Sequence, residues 1–192
     1  ICLLDKGSEV GSHIVSGCVM NPRGLDELIP NWRELGFPVT TEVKKDKIVY
    51  LTKSKQYKLP LPSDWSNYGN YIISLSQLCR KLAEYAESLG VEIYPGFAAK
   101  SALIEDGILK GILTGDMGLA RDGTPSANYQ PGIEIRAKQT ILAEGCRGSV
   151  SKQLIEYFKL NADSQAQTYG LGIKEIWQKK KKKHRLGNVT HT

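Results

Sequence analysis

The chain has 192 residues, 41% hydrophobic and 24% charged, which suits one folded domain, or a domain with an inserted lobe, and excludes a disordered chain. No apolar run approaches the roughly 18–20 residues of a membrane-spanning helix. Net charge is +6, from 26 Lys+Arg against 20 Asp+Glu, but six cations stand together at Lys179, Lys180, Lys181, Lys182, Lys183 and Arg185, so the dispersed basic face of a nucleic-acid binder is absent.

In chain order, residues 1–4 (Ile-Cys-Leu-Leu) predict a parallel strand buried on both faces, ending on Asp5. Glycine- and serine-rich 7–17 reads as loop, and Asn21-Pro22-Arg23-Gly24 as a turn. Residues 25–35 predict a short helix broken by Pro30, with Leu25, Leu28, Ile29 and Trp32 on one side. Within 40–61, the segments 48–51 and 57–59 predict antiparallel strands. Tyr71-Ile72-Ile73 is a strand, and Ser74 is placed to cap the next helix, with Gln77 at the capping-box position. That helix carries Leu75, Leu78, Leu82, Tyr85, Ala86 and Leu89 at helical spacing and stops at Gly90. Residues 91–96 form a strand into a turn. Segments 99–104 and 108–114 form a hairpin around Glu105-Asp106-Gly107. A polar loop covers 117–131, strands cover 133–137 and 140–143, and a helix covers 150–158. The lysine run reads as a solvated loop that can also touch anionic lipid.

Four cysteines, Cys2, Cys18, Cys79 and Cys146, form no CxxC pair and match no zinc or iron–sulfur spacing; Cys2 and Cys79 read as buried free thiols. His13, His184 and His191 do not cluster with acids or cysteines, so no metal site is implied. Ser149 lies outside any G-x-S-x-G elbow, which removes the hydrolase reading.

Three stretches can carry chemistry. An apolar strand ending on an acid is the form of the second strand of a dinucleotide-binding βαβ unit, whose carboxylate accepts from ribose hydroxyls. Here the acid is Asp5, followed by Lys6, and Gly11, Ser12, His13, Ser16 and Gly17 form a loop where backbone can approach a cofactor. The preceding strand and Gly-rich phosphate loop are not in the chain, and it does not begin with Met, so an internal fragment is expected. The second stretch is 140–148, where a strand runs through Ala143-Glu144-Gly145 into a helix start, the form in which helix amides meet a flavin diphosphate. The alternative is a plain strand–turn–helix junction. The third is Gly96-Phe97-Ala98-Ala99, able to lay a backbone edge on an adenine, or else plain core.

Together, ICLLDKGSEVGSHIVSG, NPRGLDELIPNW, GNYIISLSQLCRKLAEYAESLGVEIYPGFAA, TILAEGCRG and QTYGLGIKEIW resemble, in order, the electron transfer flavoprotein–ubiquinone oxidoreductase family. The resemblance implies a membrane-associated flavoenzyme with FAD, a 4Fe–4S cluster and a ubiquinone site. It implies electrons taken from reduced electron transfer flavoprotein and passed to ubiquinone, with no acid–base dyad of the chain's own. It implies a monotopic seat on the mitochondrial inner membrane, matrix side, in a eukaryote, or on the cytoplasmic face of the inner membrane in a bacterium. Asp5 matches the ribose-binding acid, 11–17 the segment running to the flavin, and Phe97-Ala98 and Ala143-Glu144-Gly145 further FAD-lining stretches. Residues 10–31 match a segment that faces the bilayer, although their apolar residues equally suit a core. Ligands for the iron–sulfur cluster and quinone are not in the chain, so it is expected to be inactive by itself. A geranylgeranyl reductase or FixC-like flavoprotein, and a non-catalytic interaction module, stay open as alternatives.

The expected fold class is α/β (α+β), a partial FAD-binding Rossmann-like domain with an inserted antiparallel β lobe. Residues 1–39 are the first part of the FAD-binding domain, 40–70 the insert, 71–160 the domain continued, and 161–192 the start of a ubiquinone-binding or substrate domain.

Overall fold

The structure is a computed structural model that describes residues 1–14, 17–180 and 184–192. In chain order its elements begin β1 (Cys2–Asp5), β2 (Gly17–Met20), α1 (Arg23–Leu28), β3 (Thr41–Glu42), β4 (Lys45–Leu51), β5 (Gln56–Leu59), β6 (Tyr71–Ser74) and α2 (Leu75–Ser88). They continue β7 (Glu92–Pro95), β8 (Ala99–Glu105), β9 (Ile108–Thr114), β10 (Met117–Leu119), β11 (Pro125–Gln130), β12 (Glu134–Arg136), α3 (Ser149–Phe158) and β13 (Asn188–His191). The fold is mixed α/β with several small sheets. It divides into two compact units, Ile1–Glu9 with Val91–Leu171, and Val10–Gly90 with Gly172–Thr192. Helix α2 and residues 172–192 fall in the second unit.

The first unit pairs β1 in parallel with β7 and sets β12-β9-β8 as an antiparallel sheet. The β8–β9 hairpin turns through Asp106 (φ 51) and Gly107 (φ 72), the left-handed pair that suits a two-residue turn to the strand twist. Val150 and Leu154, four apart on α3, meet Ile112 in the core, with Leu4, Ala102 and Ile135 packed around them. Of the apolar residues of β1 only Leu4 joins this core: Cys2 is exposed and Leu3 is 43% exposed, so the strand is parallel as expected but not buried on both faces. All four cysteines are free thiols. Residues 140–143 are not a strand: an apolar run becomes one only by hydrogen-bonding a neighbour, and no strand pairs with it among the described residues. Ile141 is 86% exposed there, and the buried Thr140 hydroxyl has no hydrogen-bond partner among the described residues. The expected polar loop 117–131 contains a second hairpin, β10 with β11.

The second unit holds two three-stranded sheets, β2-β6-β3 and β13-β4-β5. Its core gathers Leu25, Ile29, Trp32, Phe37, Val39, Ile73 and Leu78. Pro30 limits α1 more than expected, because the residue before a proline is pushed out of helical conformation; Ile29 sits at φ −136, ψ 77. Leu28 consequently points outward, 74% exposed, while Leu25, Ile29 and Trp32 are buried. The apolar residues expected to face a bilayer over 10–31 thus contribute Leu25 and Ile29 to this core. Leu75, Leu82 and Tyr85 of α2 pack on the same cluster, and Gly90 (φ +86) ends the helix region. Ser74 stands at the helix N-terminus without a side-chain cap, since its hydroxyl pairs with the Ser76 hydroxyl at 3.2 Å. The expected strands 48–51 and 57–59 are present as β4 and β5, antiparallel, and β13 adds to β4 in parallel. Among the described residues no helix is long and apolar enough to cross a membrane.

Candidate cofactor-binding site

In the first unit the carboxyl ends of β1 and β7 lie side by side, Asp5 in register with Pro95. The Gly96 N–H donates to the Gly7 carbonyl at 2.6 Å, extending the pairing past the strands. The carboxyl edge of parallel strands is where open α/β sheets take their ligands. Asp5 is half-buried there, and its Oδ1 accepts the Gly7 N–H at 2.8 Å. Oδ2 has no partner among the described residues, so the side chain is oriented with acceptor capacity to spare. Lys6 is exposed. Beyond β7, Gly96 at φ +84 turns the chain through a conformation that side chains resist. Phe97 follows, half-buried edge-on to Tyr94 at 6.1 Å, and the Ala98 carbonyl accepts the Gly115 N–H at 2.8 Å. Asp5, Phe97 and Ala98 thus lie at or just beyond the adjoining ends of β1 and β7.

Ala143, Glu144 and Gly145 are exposed, and Glu144 has a task of its own. Its carboxylate accepts the Val150 N–H at 3.2 Å, the Ser151 N–H at 2.7 Å and the Ser151 hydroxyl at 2.6 Å, all at the start of α3. Burial pushes its pKa up, but the Ser151 hydroxyl and these amides outweigh burial and hold the carboxyl below its ordinary value. A side chain at Gly148 would collide with Glu144, which explains the glycine. In this structure the Glu144 carboxylate takes up the Val150 and Ser151 amides at the helix start where a diphosphate was expected. Val150 and Ser151 were not singled out by sequence reasoning, because a carboxylate followed by glycines before a helix serves a cap and an anion site equally well.

In the second unit Gly11 (φ +80) lies against α2, where a Cβ would come within 2.9 Å of the Ser76 carbonyl. A Cβ on Gly17, in β2, would clash with the Ile73 carbonyl of β6. Both glycines are therefore explained by backbone packing within the lobe. Ser12 and His13 are exposed, and His13 lines a hollow with Ile14, Gly172, Ile173 and Lys174. Ser16 lies outside the described residues.

No family model matches the chain. Over its whole length it is 54% identical to the electron transfer flavoprotein-ubiquinone oxidoreductase of Pseudomonas aeruginosa and covers 36% of that protein. It is 53% identical to the mitochondrial protein of that name from Dictyostelium discoideum, covering 32%. The Bos taurus protein is 45% identical and again 32% covered. The whole chain is similar to an internal part of electron transfer flavoprotein–ubiquinone oxidoreductases. It spans about a third of the length of these curated relatives. Among solved structures, Thermovibrio ammonificans THI4 shares 14% identity at a TM-score of 0.47, over 82% of this chain and 52% of that one.

The similarity to these oxidoreductases covers Asp5 and Glu144 alike, and local geometry separates them. Asp5 keeps an unpartnered carboxylate oxygen at a strand edge, whereas the oxygens of Glu144 serve α3. No three His, Cys, Asp or Glu side chains converge as a metal site among the described residues.

Proposed function

We propose that the protein carrying this chain is a flavoprotein of respiratory electron transport that passes electrons from reduced electron transfer flavoprotein to ubiquinone. The observation that carries this reading is the 44–54% identity, along the whole chain, to relatives bearing that name. This chain contributes the adenosine end of the FAD site. The free Oδ2 of Asp5 at the carboxyl edge of β1 fits that role, as do the half-buried Phe97 and the exposed backbone at Ala98.

When bound, FAD supplies the redox chemistry, and the protein supplies position and electrostatics. Asp5 holds the ribose hydroxyls as acceptor, its orientation set by the Gly7 N–H. Lys6 beside it adds a cation, and Phe97-Ala98 borders the adenine. Gly11, Ser12, His13, Ser16 and Gly17 carry the segment that runs toward the flavin. Ala143 and Gly145 border it through their backbone, while Glu144 acts one step away by fixing the start of α3. The enzyme works at the membrane surface without a spanning helix, on the mitochondrial inner membrane facing the matrix, or on the cytoplasmic face of a bacterial inner membrane. A 4Fe–4S cluster and the quinone site belong to parts of the enzyme outside this chain.

The test is anaerobic: the purified protein that carries this chain is mixed with reduced electron transfer flavoprotein and ubiquinone, and ubiquinol is measured. Ubiquinol formation that stops when the donor flavoprotein is left out supports the reading. Flavin reduction by NADPH with no ubiquinol formed, as a cluster-free flavin reductase would give, overturns it.

A further inference from the structure

A run of six cations between 179 and 185 accounts for the chain's net charge of +6. In the second unit, β13 lies parallel to β4 with Asn188 opposite Lys45 and Thr190 opposite Lys47. Side chains two apart share a strand face, so Asn188 and Thr190 stand on the same face as Lys47. Lys179, His184 and Arg185, from the chain leading into β13, join these three to line one cleft of about 400 Å³. Among the described residues no carboxylate lines it. Lys47, Lys179 and Arg185 make no ion pair or side-chain hydrogen bond among the described residues. The nearest acid in β4, Asp46, belongs to the opposite face, buried and already committed to Asn67 and to His191 at 3.0 Å.

Cations gathered around one cleft without a counter-charge repel one another, and a bound anion relieves that repulsion. Arg and Lys supply charge-assisted donors, with Asn and Thr as flanking polar groups, which is the donor set that suits a phosphate oxyanion. We propose that this cleft binds a phosphate group, held by Lys47, Lys179 and Arg185 with Asn188 and Thr190 at its side. The phosphate is either that of a soluble phosphate compound or the headgroup of an anionic phospholipid.

Two probes separate the sources. Inorganic pyrophosphate is titrated into the full chain by calorimetry, and the chain is floated with phosphatidylcholine vesicles made with and without phosphatidylglycerol. Lys47→Ala/Arg185→Ala is compared with Lys138→Ala/Lys152→Ala, which removes equal charge from the first unit. The cleft pair is expected to weaken binding about tenfold, the control pair to stay within about twofold, and binding to fall with added salt. Loss confined to pyrophosphate assigns a soluble ligand, and loss confined to anionic vesicles assigns the lipid headgroup. Loss of both supports the phosphate site for either source. No binding of either probe, or equal loss in the control pair, overturns the proposal. Should the double variant's circular dichroism differ from wild type, Arg185→Gln alone decides, with the same readings. Quinone reduction takes no part in these readouts, so failure here leaves the flavoprotein reading untouched.

Discussion

Glu144 and Asp46 are two carboxylates in which burial is the largest single influence on the proton, and in which hydrogen bonds nevertheless prevail. Asp46 accepts the Asn67 backbone N–H at 2.8 Å, the Asn67 Nδ2 at 2.9 Å, and faces His191. A carboxyl with a lowered folded-state pKa adds stability above its unfolded pKa, and that stability is lost as pH falls through the folded value. Asp46→Ala should therefore lower unfolding stability by roughly 1–3 kcal/mol near neutral pH. Urea melts at pH 7 and in acid, below the ordinary value of 3.8, should show the gap to wild type closing in acid. A gap independent of pH would mean that packing, and not the charge, is what Asp46 contributes. Glu144→Ala should cost about 1 kcal/mol by stripping the first turn of α3 of its acceptor. Hydrogen exchange at the Val150 and Ser151 amides reads this directly, and unchanged protection there would contradict the cap.

At the scale of elements, the β8–β9 hairpin depends on its turn. Gly107→Ala places a side chain at φ +72 and should destabilise by about 1 kcal/mol, read as a lower melting temperature; an unchanged melt would show that the turn relaxes freely. This hairpin was legible because Asp106-Gly107 separates two apolar runs, and the β4–β5 pair was legible from its alternation. The β10–β11 hairpin was not: Pro125–Gln130 is exposed throughout, and its strand is defined by backbone pairing instead of side-chain burial. Strand β2 was hidden by Gly17 within a serine- and glycine-rich stretch. The run 140–143 erred the other way, because its apolar residues meet no neighbouring strand. In the candidate site, Asp5 was legible as an acid closing an apolar strand. The use of Glu144 was not, since sequence does not show which acceptor wins the amides of a helix start.

For the whole molecule, the two cores share no residue. Trp32, 2% exposed, sits edge-on to Tyr71 at 6.1 Å and donates from Nε1 to Asp26 at 2.8 Å. Trp32→Ala should remove about 3–5 kcal/mol. Native-state hydrogen exchange should then show protection lost in α2 and kept in β8 and β9. Equal loss in both would make the two units a single cooperative body. Flavin retention tests most directly the proposal that this chain seats the adenosine end of FAD through Asp5. The protein carrying the chain is isolated as wild type and as Asp5→Ala, gel-filtered, and its FAD measured per polypeptide. Loss of a charge-assisted hydrogen bond worth roughly 1.5–3 kcal/mol predicts flavin lost from the folded variant and regained only at higher added FAD. Equal flavin content in wild type and variant would contradict it.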